Sequence, residues 1–372
     1  MLIKRYKCSI CNNNLLNIYK LDNAPILLLS CIDNNIEYKY NTLSFSQCIK
    51  CNTIQLDKLV TLKLLYEKSH NFKSIGKIWD NYYYYFLQII ENIIINKTIL
   101  EIGCPSGKLA LKSFNYNKWY IVEPNKNKLI NFNDNIIFIE TFFDNNFKIN
   151  EKIDLIIHSH VFEHIYEPND FLKKCYEILN DDGEMIFGVP NMQYLGEKSL
   201  NLFMGICFEH TIFLNKENIT YLLNKNGFII LDIIDFENHS TIYHVKKNNI
   251  IIKNFKIINY YDDFFNQIND FKLFINNCNS IISNSNAEIY IFGVCCNSQF
   301  LLSLGLNIKY IKGILDNCEE KQNNYFYGTN LLIYDPKILA NKNSIVILKT
   351  GYYINEISSQ IKTINENTII LQ

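Results

Sequence analysis

No stretch of the 372-residue chain reaches about 18 apolar residues without a polar interruption, so the sequence predicts no membrane-spanning helix. Its first residues, MLIKRYKCSI, are basic but lack the apolar core of a secretion signal. A cytoplasmic location is therefore expected. An excess of either charge is also missing. With 36 Lys and Arg against 37 Asp and Glu, the formal net charge is -1, and neither nucleic acid nor an anionic membrane is favoured as the main partner. Nor does glycine occur as GxGxxG, or histidine as HExxH, the patterns of a dinucleotide oxidoreductase and a zinc protease. Composition sets no oligomeric state.

What is present is ample material for a core: 48% of residues are apolar and 14% aromatic. Domains usually run about 100–200 residues, so two or three units are expected. Asn, Ile, Lys and Tyr dominate, with doublets such as Asn34-Asn35 and a run from Tyr82 to Tyr85. This usage reads as the coding bias of an AT-rich genome and is given no chemical meaning. The 12 cysteines sit in a chain too large for a disulfide scaffold, and four of them form CxxC pairs; metal ligation with reduced core thiols fits better.

Residues 1–58 hold Cys8, Cys11, Cys48 and Cys51 among short apolar runs and turns. The two CxxC knuckles, 36 residues apart, can give four thiolates to one tetrahedral Zn²⁺. Such a site has no open position for water, so its role would be folding. From Leu59 to Ile95 apolar residues recur at spacings of three and four, a helical bridge. Next, TILEIG, KWYIVEP, NIIFIETFF, IDLIIHSHV and GEMIFGVP alternate with helical text, which predicts a parallel sheet in a unit spanning 59–245. One crossover helix, with Phe171, Leu172, Cys175 and Leu179 on a face, should close at Asp181-Asp182-Gly183. The last unit, 246–372, opens with a helix carrying Phe264, Ile268, Phe271, Ile275, Cys278 and Ile282 as a core stripe and continues as a second, smaller α/β domain.

ILEIGCPSG, Ile99 to Gly107, is a strand entering a glycine turn, and Glu123 closes the next strand 22 positions after Glu101. Gly103 and Gly107 let backbone approach a ligand closely, while Glu123 is placed to accept ribose hydroxyls. The spacing ExGxxxG favours S-adenosylmethionine (SAM), which has no pyrophosphate to seat, over NAD. HSHVFEHIYEP, His158 to Pro168, follows another strand where open α/β sheets bind ligands. Of its histidines, His158 and His160 alternate if the strand continues, so at least one belongs to the core; His164 is the functional candidate, and His160 is assigned to the cofactor side.

In this order the motifs resemble the sugar C-methyltransferase family, which acts on nucleotide-linked ketosugars and combines a zinc module, a Rossmann-like SAM core and a C-terminal Rossmann-like α/β domain. The carriers are CSIC, CIKCNTIQL, EIGCPSG, IVEP, HVFEHIYEP, CFEHTIFL, IFGVCCNSQFLL, ILDNCEEKQNNYFYGT and LLIYDP. The resemblance implies an enzyme of class EC 2.1.1 that removes a proton alpha to a ketone and methylates the carbon from SAM, with His210 as base and Glu209 orienting it. Neighbours on an extended strand point apart, so the pair can cooperate only in a turn. The sequence departs from the family at Cys207, where a tyrosine is usual, and at Asn238 to His244, where a glycine-rich loop is usual. Tyr66, His70 and Phe72 match a serine- and tyrosine-rich segment only in part. These departures leave methylation at oxygen or nitrogen open, as well as an inactive SAM- and sugar-nucleotide-binding scaffold. Asp316, Lys321 and Gly328 follow at family spacing in the last domain, which the resemblance offers as a nucleotide holder or a packing unit.

Overall fold

In the computed structural model, residues 2–27, 31–32, 39–66, 76–125, 131–192, 205–250 and 255–372 are described. His70 and Phe72 lie outside them. The first unit contains β1 (Leu2–Lys4), β2 (Leu15–Pro25), β3 (Cys31–Ile32), β4 (Tyr40–Cys48), β5 (Ile54–Leu56) and β6 (Lys58–Val60). Strands β2, β4 and β5 form an antiparallel sheet, and β6 pairs with β1. That pairing carries the module to Val60. The helical bridge accordingly starts later than its periodicity suggests and consists of α1 (Leu62–Tyr66) and α2 (Lys77–Ile90). Helix α2 buries Tyr82, Phe86 and Ile90, one residue per turn.

The middle unit is a seven-stranded sheet of β7 (Thr98–Ile102), β8 (Lys118–Val122), β9 (Ile136–Ile139), β10 (Ile153–Ser159), β11 (Leu179–Pro190), β12 (Phe228–Phe236) and β13 (Ser240–Lys247). Its order is β12-β13-β11-β10-β7-β8-β9, with β13 antiparallel to both neighbours. Strands β7 and β10 are buried almost throughout, which explains their Ile- and Leu-rich text. Helices α3 (Lys108–Lys112), α4 (Pro168–Ile178) and α5 (Lys216–Lys225) complete this unit. The helix stop expected at Asp181-Asp182-Gly183 falls earlier, at Ile178. Leu179 already pairs with Ile153, so the Asp-Asp-Gly triplet lies within β11, beside an irregularity in register between Ile153 and Leu155.

The last unit begins with α6 (Tyr261–Ser283), which buries the six residues of the expected stripe. It continues through β14 (Glu288–Phe292), α7 (Cys296–Ser303), β15 (Ile311–Leu315), β16 (Tyr325–Phe326), β17 (Ile333–Tyr334), β18 (Ser344–Leu348), α8 (Ile354–Ile364) and β19 (Ile369–Leu371). Five of these strands make a parallel sheet in the order β17-β15-β14-β18-β19. Strand β16 pairs with β3 of the first unit. One apolar core joins the two units and reaches Tyr166, Cys207 and Phe208 of the middle one. No helix among the described residues is long and apolar enough to cross a membrane.

Candidate active site

From β7 the chain crosses to β8 on one side and resumes at β10 on the other, so a crevice opens where the order reverses, beyond the carboxyl ends of both strands. Gly103 and Gly107 line it with left-handed backbone, φ +77° and +57°. A β-carbon at Gly103 would lie 2.4 Å from Val161, and one at Gly107 2.5 Å from Phe132. Glu123 follows β8 and is buried, which raises its carboxyl above the ordinary range; its Oε1 accepts the Asn125 amide at 2.9 Å. These residues fit SAM: the glycines keep side chains out of the loop, and a desolvated carboxylate at the end of β8 could accept a ribose diol. Glu101 lies deeper. Its carboxylate accepts Trp119 Nε1–H at 2.8 Å, and burial pushes it up to about 7.

The loop after β10 carries the histidines, and the structure separates their environments. His158 remains in the sheet, fully buried and stacked on Phe187 at 4.7 Å, a core residue. His160 leaves the strand with φ +53° and uses both ring nitrogens, Nδ1 on Glu163 at 3.2 Å and Nε2 on the Ser240 hydroxyl at 2.9 Å. Its ring packs edge-on against Trp79 and Tyr82, with His239 closing the group. Tyr82 Oη meets Ser159 Oγ at 3.0 Å. The segment Asn238 to His244 thus supplies a histidine and a hydroxyl to this aromatic corner. Its last residue, His244, pairs instead with Glu184 at 2.9 Å.

His164 and His210, 46 positions apart, meet with Nε2 atoms separated by 3.3 Å. Glu209 and His210 lie in a bend spanned by the bond from the Cys207 amide to the His210 carbonyl at 2.9 Å. Both Glu163 and Glu209 are buried beside the pair. Burial opposes ionisation of Glu163, but the hydrogen bond from His160 and the charges of His160, His164 and His210 outweigh it and bring the carboxyl down to about 2. Burial and the neighbouring His210 push His164 down to about 4. A close pair of imidazoles flanked by carboxylates can accept a proton and share the charge. Glu163, His164 and His210 also offer three ligand atoms within 4.8 Å of one another, a donor set suited to a divalent cation. No local pattern marks the Trp79–His239 corner. Glu163 could have been found from its place three residues after His160, within reach of one face.

The four knuckle cysteines converge, with Cys8 and Cys51 sulfurs 3.6 Å apart and Cys11 and Cys48 sulfurs 3.4 Å apart. All four lie within 4.8 Å of one another. Across a tetrahedral Zn²⁺ with Zn–S bonds of about 2.3 Å, sulfurs lie roughly 3.8 Å apart, so the set fits that ion. Backbone amides of Lys50 and Cys51 point at Cys48 Sγ, and the side-chain Nε2–H of Gln55 at Cys8 Sγ, as thiolates require. In the last unit, Gly293 is the single glycine after β14. Asp316 is spent on the Val294 and Cys318 amides and on Lys321 at 3.5 Å. Gly328 packs on Pro25 of the first unit. Cys295 and Cys296 are shielded, and burial raises both thiols.

His158 and His239 are each pushed down to about 3, chiefly by burial. A histidine held neutral in the fold contributes stability above its ordinary value of 6.5, and this is lost as pH falls toward the folded value. Each should therefore cost up to about 1.4 kcal/mol per pH unit below 6.5. The melting temperature should fall steeply between pH 6.5 and 4, and His158→Phe should flatten part of that slope; an unchanged slope in this variant would exclude His158 as a source.

Residues 82–233 match a family model described as a methyltransferase domain, and residues 247–370 one described as a C-methyltransferase C-terminal domain. Among solved structures, an S-adenosylmethionine dependent methyltransferase of Mesorhizobium loti is 9% identical with a TM-score of 0.37, covering 44% of this chain and 97% of its own. The N-methyltransferase NodS of Bradyrhizobium japonicum WM9, solved with S-adenosyl-l-homocysteine, is 14% identical with a TM-score of 0.36, covering 47% and 89%. No curated protein matches by sequence. With its Rossmann-like mixed sheet and these two matches, the chain is an enzyme that carries a methyltransferase domain over residues 82–233 and a C-methyltransferase C-terminal domain over residues 247–370.

Proposed function

We propose that this enzyme methylates carbon next to the ketone of a nucleotide-linked sugar, and that Cys8, Cys11, Cys48 and Cys51 hold a structural Zn²⁺. The contact of His164 with His210, flanked by two buried carboxylates, carries the reading. The match of 247–370 to a C-methyltransferase C-terminal domain supports it. In this reading residues 1–58 are the zinc module, 59–245 the catalytic core with its helical lead-in, and 246–372 the C-terminal α/β domain.

SAM, when bound, supplies an electrophilic methyl group. The chain's own residues do the rest. Gly103 and Gly107 shape the loop that receives the cofactor, Glu101 braces that loop from inside, and Glu123 takes the ribose hydroxyls. His160 gives its ring face to the cofactor side, since both nitrogens are engaged. Only one proton fits between the two Nε2 atoms, so the resting pair shares one N–H···N bond. Substrate entering beside His210 would break that bond and free its Nε2 lone pair, which accepts the proton alpha to the ketone; the electron pair left on carbon takes the methyl, and Glu163 and Glu209 offset the charge on the ring. A cation on the same nitrogens would take the lone pair the base needs.

The experiment is methyl transfer from labelled SAM to a panel of nucleotide-linked 4-ketosugars, with the new methyl located by NMR. A methyl on oxygen or nitrogen would redirect the reading to the departures at Cys207 and Asn238 to His244, and SAM binding without transfer would favour the scaffold. Glu123→Ala should weaken SAM binding about 10- to 100-fold by calorimetry, the worth of hydrogen bonds to a charged group. Undiminished affinity would remove Glu123 from the site.

A further inference from the structure

The sequence uses lysine at 35 positions and arginine at one, Arg5. That single guanidinium is buried, and its two terminal nitrogens reach four oxygens on three separate segments. Nη2 donates to the Tyr166 carbonyl at 2.8 Å and to Thr211 Oγ1 at 3.3 Å; Nη1 donates to the Leu56 carbonyl at 3.1 Å and the Thr211 carbonyl at 3.3 Å. Tyr166 stands two residues after His164, and Thr211 one residue after His210. Leu56 belongs to β5, whose neighbour Gln55 bonds to Cys8 Sγ and to the Ser9 amide. The 211–213 segment runs alongside β5, with the Leu56 amide on the Thr211 carbonyl and the Phe213 amide on the Ile54 carbonyl. Tyr166 tightens the same joint through its hydroxyl, on the Val60 and Phe208 carbonyls.

We propose that Arg5 is a positioning residue for methyl transfer: it clamps the segment behind His164 to the segment behind His210 and anchors both to the strand beside the cysteine cluster. The catalytic part rests on the reading of these histidines as the proton-transfer pair. Burying a charge among carbonyls and hydroxyls, with Glu167 acting on it only through space, is costly unless its geometry is needed. A planar fork presents two separated nitrogens in fixed geometry to acceptors on three segments; lysine reaches only those that converge on one flexible nitrogen. The spacing of the two imidazoles is thus set from the zinc module, by a residue that touches neither ring.

The test is Arg5→Lys in the full, metal-replete chain, followed by zinc content, SAM affinity, turnover and the nuclear Overhauser contact between the two imidazole rings. Zinc content and SAM affinity should be unchanged, while turnover falls about 10- to 100-fold, the effect of roughly an ångström of misplacement. The ring-to-ring contact of His164 and His210, whose Nε2 atoms lie 3.3 Å apart, should weaken. Thr211→Val, which removes one contact and keeps the shape, should weaken it the same way by less, and decides the matter if Arg5→Lys does not fold. An unchanged ring contact in the folded variants would overturn the proposal. Because that contact needs no acceptor, its result stands apart from whether the sugar reading is right.

Discussion

Replacing His210 by alanine is expected to lower methyl transfer at least about a hundredfold while leaving SAM affinity in place. The proposed cofactor cradle comes from the loops after β7 and β8, whereas His210 arrives from the turn before α5 and meets the loop after β10. Its removal takes away the lone pair that accepts the substrate proton, a contribution of about 10² to 10⁴ in rate. His164 cannot replace it readily. That ring is half-buried, and burial together with His210 holds its proton affinity down, to about 4. Alanine also leaves a hole beside a buried carboxylate, so His210→Asn, close in size and without a basic nitrogen, is the companion variant. Both should lose turnover, and both should bind SAM as the wild type does by calorimetry. Full turnover in either would remove His210 from the mechanism; loss of SAM affinity in both would make it a structural residue of the crevice.

The features readable in the sequence were those that repeat over a few residues or sit at a strand end. Apolar runs ending in turn residues marked β7, β8 and β10, a four-three spacing marked α6, and the glycine loop with Glu123 followed from strand length and loop chemistry. The cysteine pairs were legible because each CxxC is a local knuckle, and only their convergence needed the fold. What stayed hidden depends on which strands lie side by side. Nothing local says that the loop after β10 will lie against the turn at residues 207–210, or that Trp79 will face His160 and His239 across the end of the sheet. Asp181-Asp182-Gly183 has the composition of a helix stop, yet pairing of Leu179 with Ile153 had already ended the helix, so tertiary context overrode local preference. Arg5 was visible as the one arginine among 35 lysines, but its meaning lies in three carbonyls and a hydroxyl that sequence cannot bring together.

Zinc removal is expected to act on both stability and turnover, and the reason lies in what the cysteine cluster holds. Cys8 and Cys11 come from the turn after β1, Cys48 and Cys51 from the end of β4 and the turn after it. Without a cation, four sulfurs brought this close would gain little from one another, and as thiolates they would repel. Bound Zn²⁺ turns that repulsion into a crosslink between chain segments almost 40 positions apart. In zinc-finger peptides such a site contributes about 10–16 kcal/mol of apparent binding energy, comparable with the whole stability of a domain, about 5–15 kcal/mol. Cys48→Ser should therefore drop metal content well below one per chain and lower the melting temperature by ten degrees or more, on the order of 4–8 °C per kcal/mol for a small domain. Strand β5, which follows the second knuckle, should loosen with it and release the 211–213 segment. Partial chelation of the wild type should then lose turnover before it loses the signal of the central sheet, because the knuckle residues Cys8, Ile10, Cys48 and Cys51 supply only part of the apolar clusters that bury β7 and β10. Protein that purifies with almost no metal, or a Cys48→Ser variant with unchanged metal content and melting temperature, would remove the zinc site; parallel loss of turnover and of the central sheet would mean that the module supports the whole fold at once.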